Sequence, residues 1–141
     1  MEIKDILLIF IPLLTAAIGS FLTYYFAVRT KQKEAMIKFK EEKYTNLILA
    51  LKGFVGSTVS TETKIQFFEE QYKSWLYSSD EVVIAINELI ALLIEEQGKA
   101  PDPERGRQVV GNIILHMRKD LIDKTQLTYK DFRYTDVIKS R

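Results

Sequence analysis

The sequence predicts an all-α protein: one N-terminal transmembrane helix that continues into a stalk, then a cytosolic bundle of about four helices. Three observations predict it. Residues 6–28 form an uncharged run, ILLIFIPLLTAAIGSFLTYYFAV. Neither Gly nor Pro occurs from Ser20 to Lys52, so nothing in the chain stops that helix from running on. Beyond residue 36 the apolar positions recur at three-to-four spacing, and no run alternates in twos over strand length.

The apolar run is 23 residues long. As a helix it covers about 34 Å, enough to cross a hydrocarbon core of about 30 Å. It continues past any cleavage site near Ala17-Ile18-Gly19, which is too long for the apolar stretch of a secretion signal and predicts an uncleaved anchor. Lys4, beside Glu2 and Asp5, is the single basic residue before the span. Arg29, Lys31, Lys33, Lys38, Lys40 and Lys43 follow it. That asymmetry predicts an N-terminus outside and a C-terminal part in the cytoplasm, with Tyr24 and Tyr25 at the cytoplasmic headgroup level. The expected division is 1–28 for terminus and span and 29–141 for stalk and bundle. Within the span, Thr15, Gly19, Thr23 and Ala27 recur every fourth residue, and Ala16 and Ser20 widen the strip. Small residues on one helix face let two membrane helices approach closely. Hydroxyls there also suit the wall of a wet lumen. Pro12 frees a carbonyl of the preceding turn and predicts a kink.

After the span, RTKQKE is polar all round and reads as a stalk. Met36, Phe39, Lys43, Leu47, Leu51 and Phe54 then form a loose apolar stripe that ends at Gly53 and Gly56. A second helix is expected from about residue 61, with Thr63 and Gln66 as a capping box and Ile65, Phe68, Tyr72, Trp75 and Leu76 as core aromatics and aliphatics. Ser78 and Glu81 suggest another capping box, before a helix over 81–96 that is apolar nearly all round. At 13–14 residues before Glu95 and Glu96, and interrupted by Asn87 and Glu88, it is too short for a second span. Residues 97–103 are the clearest loop, with Gly98 ending one helix and Asp102-Pro103-Glu104 opening the next. That helix aligns Val110, Ile113, Ile114, Met117 and Leu121. Thr128 and Asp131 cap a short last helix over 129–133, docked by Leu127 and Phe132, and 137–141 frays.

The chemistry excluded is broad. With no Cys there is no disulfide, thiolate metal site or cysteine nucleophile. The single His, His116, cannot build a multi-histidine site, so no metal, no cofactor and no catalytic residues are expected. No phosphate loop, nucleophile elbow or zinc-protease motif occurs. A net charge of +1 argues against a general nucleic-acid binder. Candidate ligand or partner contacts are His116, Arg118 and Lys119, with Arg107 nearer the helix start; Arg118 has the fork that grips phosphate or carboxylate.

The layout resembles that of a group of uncharacterised bacterial single-span proteins. It rests on a basic juxtamembrane helix (29–44), the stretch Trp75-Leu76-Tyr77-Ser78-Ser79-Asp80-Glu81-Val82, and Met117-Arg118-Lys119-Asp120-Leu121. It is also similar to small CRISPR-associated membrane accessory proteins that carry one N-terminal span, a HEPN-like helical bundle and a ring-shaped, pore-enclosing assembly. HEPN ribonucleases place four to six residues between an Arg and the His that follows it. Here eight residues separate Arg107 from His116, so no catalytic residue carries over.

The expected function is therefore that of a non-enzymatic, homo-oligomeric protein of the bacterial inner membrane, in contact with lipid. It would act as a pore-forming or membrane-perturbing effector in antiviral defence. Two alternatives stand beside it: an anchored adaptor that recruits a cytosolic protein, and a degenerate nucleotide- or RNA-binding bundle centred on Arg118, Lys119 and His116.

Overall fold

A computed structural model describes residues 3–54, 60–97 and 102–133. The elements are α1 (Ile3–Leu51), a 3-10 turn (Lys52–Phe54), α2 (Thr61–Ser74), α3 (Asp80–Glu95), α4 (Pro103–Ile122) and a last 3-10 turn (Tyr129–Asp131). The protein is all-helical, with no strand among the described residues. Residues 1–38 form one unit and residues 39–141 a second. Expectations for Gly56, Gly98 and 137–141 lie outside the described residues.

In the first unit α1 is long and apolar enough to cross a membrane, and none of its most apolar window is buried within the protein. A helix hydrophobic all round needs an apolar surrounding. The two threonines of its apolar run bond within their own helix. Thr15 Oγ1 lies 2.8 Å from the Ile11 carbonyl and 2.9 Å from that of Pro12, and Thr23 Oγ1 donates to the Gly19 carbonyl at 2.8 Å. Back-bonding of this kind lets a hydroxyl sit in hydrocarbon without an unmet donor. The Arg29 guanidinium lies 4.8 Å from the Tyr25 ring centre at the end of the apolar run.

In the second unit the core is built from Tyr44, Leu47 and Leu51 of α1, Phe67 of α2, Val82, Ile86 and Leu89 of α3, and Val110, Ile113 and Met117 of α4. The expected α4 face is confirmed, with Ile114 and Leu121 at its margin. So is its start, where the Asp102 carboxylate accepts from the N–H groups of Glu104 (3.0 Å) and Arg105 (3.4 Å), with Pro103 in the first turn. The inward stripe of α1 is shifted from the expected one. Tyr44, Leu47, Ala50 and Leu51 are buried, whereas Met36 and Phe39 are exposed. Helix α3 is one-sided rather than enclosed: Ile84 and Ile94 face outward.

The largest departure is α2. Its buried residues are Phe67, Gln71 and Ser74, with Ser74 Oγ bonded to the Gln71 carbonyl at 2.6 Å. The apolar stripe expected in the core points away instead: Ile65 is 55% exposed, Tyr72 74%, Trp75 59% and Leu76 88%, with Phe68 half-exposed. At about 100° per residue the two faces lie roughly 110° apart around the helix. Aromatic contacts at both ends set the rotation. Phe67 meets Phe54 edge-on at 5.0 Å, and Tyr77 meets Phe39 at 5.5 Å and Tyr44 at 5.9 Å. The capping expectations also move. Ser60, not Thr63, caps α2 by accepting from the Thr63 N–H at 3.1 Å. Ser79, not Ser78, precedes α3, and its side chain makes no capping bond.

The Thr128–Asp131 capping box is present, but it closes a single 3-10 turn rather than a helix to residue 133. Of the two expected docking residues Leu127 stays half-exposed, Phe132 is partly buried, and Tyr129 docks as well. It sits over Gly111, where an added Cβ would lie 2.9 Å from the Tyr129 Cβ and 3.1 Å from its carbonyl oxygen. Gly111→Ala therefore pits the helix-propensity gain of about 1 kcal/mol against overpacking worth about 1–3 kcal/mol. The obstructing atoms belong largely to backbone and cannot rotate away. The expected result is a lowered melting temperature and early proteolysis after residue 125; an unchanged digestion pattern would refute the docking.

Candidate functional site

Two helices bring a polar cluster to the edge of the second unit's core. On α1, Lys40 and Tyr44 are one turn apart and continue the face of Leu47 and Leu51. On α4, Asp120 follows Ile113 and Met117 along the buried stripe. Lys40 Nζ donates to both carboxylate oxygens of Asp120, at 3.0 and 2.8 Å, and the Tyr44 hydroxyl donates to the same group. The Lys40 and Asp120 side chains are 17% and 12% exposed, so the pair is largely withdrawn from water. Burial first, and donation to Asp120 second, push the Tyr44 pKa well above the ordinary tyrosine value.

Beside Asp120 a pocket of about 400 Å³ is lined by Ser79, Glu81, His116, Lys119, Asp120 and Asp123. The start of α3 supplies Ser79 and Glu81, and the end of α4 supplies the rest. The Glu81 carboxyl is held below the usual carboxylate range by its own backbone N–H and by Ser79, with a smaller pull from His116. Asp123 has a positive φ of 62°, and the Lys124 N–H closes back onto the Ile122 carbonyl at 2.7 Å. That is a γ-turn, a strained way to end a helix. It turns the chain into a second, shallower pocket of about 780 Å³ whose walls include Arg118, Lys119, Lys124 and Thr125. Arg118 Nε is fixed on Thr125 Oγ1 at 3.2 Å, and that oxygen also accepts from the Leu127 N–H at 3.2 Å.

Of the residues predicted from sequence, His116 and Lys119 line the first pocket, and Arg118 and Lys119 the second. Arg107 joins neither. It stands nine residues before His116, about 14 Å along the helix, and its nearest ionic partner is Glu104 at 3.9 Å. The strip Thr15, Ala16, Gly19, Ser20, Thr23 and Ala27 lies exposed in the first unit. Around Gly19 an added Cβ would meet nothing within 4 Å.

Sequence reasoning missed Lys40 and Tyr44. Their signal was present: a Lys and a Tyr four apart, in phase with Leu47 and Leu51. Among the described residues no group of three or more His, Asp or Glu side chains is arranged to hold a metal ion. The pocket mixes carboxylates, a lysine and an imidazole, which suits recognition of a polar group through hydrogen bonds. No family model, curated protein or solved structure matches the chain.

Proposed function

We propose that this protein is a single-pass protein of the bacterial inner membrane, N-terminus outside, that works as a homo-oligomer assembled through its span. The observation that carries this reading is the strip of Thr15, Gly19, Thr23 and Ala27. Its threonine hydroxyls bond within their own helix, and the space over Gly19 is open. Such a face is ready for close backbone approach by another helix. One span encloses a lumen only as an oligomer, so a pore-forming or membrane-perturbing role in antiviral defence requires this assembly. The defence role itself draws on the resemblance in layout.

Gly19→Leu tests the reading at a position where an added Cβ meets nothing within 4 Å among the described residues of the single chain. Full-length protein in nanodiscs is expected to show a defined multimeric mass that falls at least tenfold in abundance in the variant. A monomer in both samples would discard the reading. A multimer then goes to planar-bilayer conductance, where current distinguishes a lumen from a packed helical core.

The second reading is an anchored adaptor. The observation favouring it is the pocket beside His116 and Lys119, which lies wholly within the second unit. Under it, replacing the span by poly-Leu preserves the cellular phenotype.

A further inference from the structure

Helix α2 and the turn after it carry an apolar surface that the described residues leave largely uncovered; Phe68 alone meets another ring from outside the helix, that of Phe54 at 6.0 Å. Ile65, Phe68, Tyr72 and Trp75 are spaced three, four and three apart, the interval of a coiled-coil seam, and Leu76 extends it. At the ~150–250 Å² that one aromatic side chain can bury, the five residues together expose on the order of 600 Å². That is the upper end of the ~300–600 Å² of the largest apolar patch on a typical monomer, a size at which such patches are often functional, and about three quarters of the ~800 Å² per partner of a standard interface.

We infer that this seam packs against the α2 seam of a second copy of the same chain. Two features select that occupant. The four seam positions are symmetric about residue 70: Ile65 mirrors Trp75, and Phe68 mirrors Tyr72. A reversed two-fold pair about residue 70 therefore sets Ile65 against Trp75 and Phe68 against Tyr72, each contact made twice, which is a self-complementary interface. The helix also carries Glu62, Glu69 and Glu70 against Lys64 and Lys73, a net negative charge that disfavours an anionic lipid surface. Gln71 and Ser74 lie on the inward face, so the pairing leaves the core undisturbed.

The inference deepens the oligomeric reading above, and it fails separately from it. The chain has no Cys, so a single introduced thiol links only between copies. In a parallel pair Tyr72 meets its mate directly; in a reversed pair about residue 70 it lies about 6 Å along the axis from it. Full-length Tyr72→Cys in nanodiscs, treated with a short thiol-to-thiol cross-linker, is expected to give at least tenfold more dimer than Glu88→Cys, an exposed position on α3. Adding Trp75→Asp should abolish the product. If Tyr72→Cys links no better than Glu88→Cys while the mass stays multimeric, the α2 contact is refuted and assembly through the span survives. If linking persists in Gly19→Leu, the α2 contact stands independently of the span, whose own role is read from the mass. Protection of Trp75 fluorescence by zwitterionic vesicles, in chains that do not cross-link, would overturn the inference in favour of a lipid-facing helix.

Discussion

Asp120→Ala is expected to cost the second unit about 2–4 kcal/mol of stability, as much as emptying a core position. The residue is the shared acceptor of two groups from a helix 76 and 80 residues away in sequence. Its removal leaves the Lys40 ammonium without its counter-charge and the Tyr44 hydroxyl without its acceptor. Removing one partner of a buried pair typically costs 3–5 kcal/mol because the other charge stays behind. The residual exposure of Lys40 lets water reach it and reduces that figure. An order among variants follows. Asp120→Asn keeps an acceptor for Tyr44 and should lose about half as much. Lys40→Met removes a charge but leaves Asp120 bonded to Tyr44, so it should also be milder than Asp120→Ala. Thermal unfolding of the full chain, followed by the helical circular-dichroism signal, measures all three. A loss within 0.5 kcal/mol for Asp120→Ala would place the pair among ordinary surface ion pairs.

The elements of this fold were legible because each rests on a local signal. The uncharged run, the Asp102-Pro103 start of α4 and the Thr128–Asp131 box are all decided by neighbours in sequence. Which face of a helix points inward is decided elsewhere. The most apolar stripe of α2 runs through Ile65 and Tyr72, yet Phe54, Phe39 and Tyr44 hold Phe67 and Tyr77 and so rotate that stripe outward. Periodicity measures how apolar a face is, and it is blind to which partner reaches it first. The same limit hid the Lys40–Tyr44–Asp120 cluster. Lys40 looks like one of six basic residues after a membrane span, and only the arrival of α4 gives it a partner. His116, Arg118 and Lys119 were legible as a group because one helix end carries them all. Arg107 was not separable from them by charge alone, since distance along α4 decides it.

Raising the pH above about 10 is expected to destabilise the second unit, and the tyrosines of the cluster are the reason. Burial, Asp120 and its own donated bond raise the Tyr44 pKa. Burial, and then the nearby Glu70 charge, push Tyr77 up to about 12. An unfolded chain releases tyrosine protons near pH 10, while the folded chain retains these two. Between those limits the unfolded state binds fewer protons, so stability falls as pH rises. The contribution is complete below pH 10 and disappears as pH passes through the raised values. The slope is about 1.4 kcal/mol per pH unit for each proton fully retained. The two residues separate cleanly by substitution. The Tyr77 hydroxyl is buried without a hydrogen-bond partner among the described residues, so Tyr77→Phe should be neutral or stabilising at pH 7 and should flatten the alkaline decline. Tyr44→Phe loses its bond to Asp120, so it should cost about 1 kcal/mol at pH 7 and flatten the decline as well. The absorbance of ionised tyrosine near 295 nm gives an independent reading. Of the seven tyrosines, a late phase should vanish in the Tyr44→Phe, Tyr77→Phe double variant. An alkaline unfolding profile unchanged in that variant would mean that neither hydroxyl is held in the folded unit as described, and that the core of α1, α2 and α4 closes differently around Asp120.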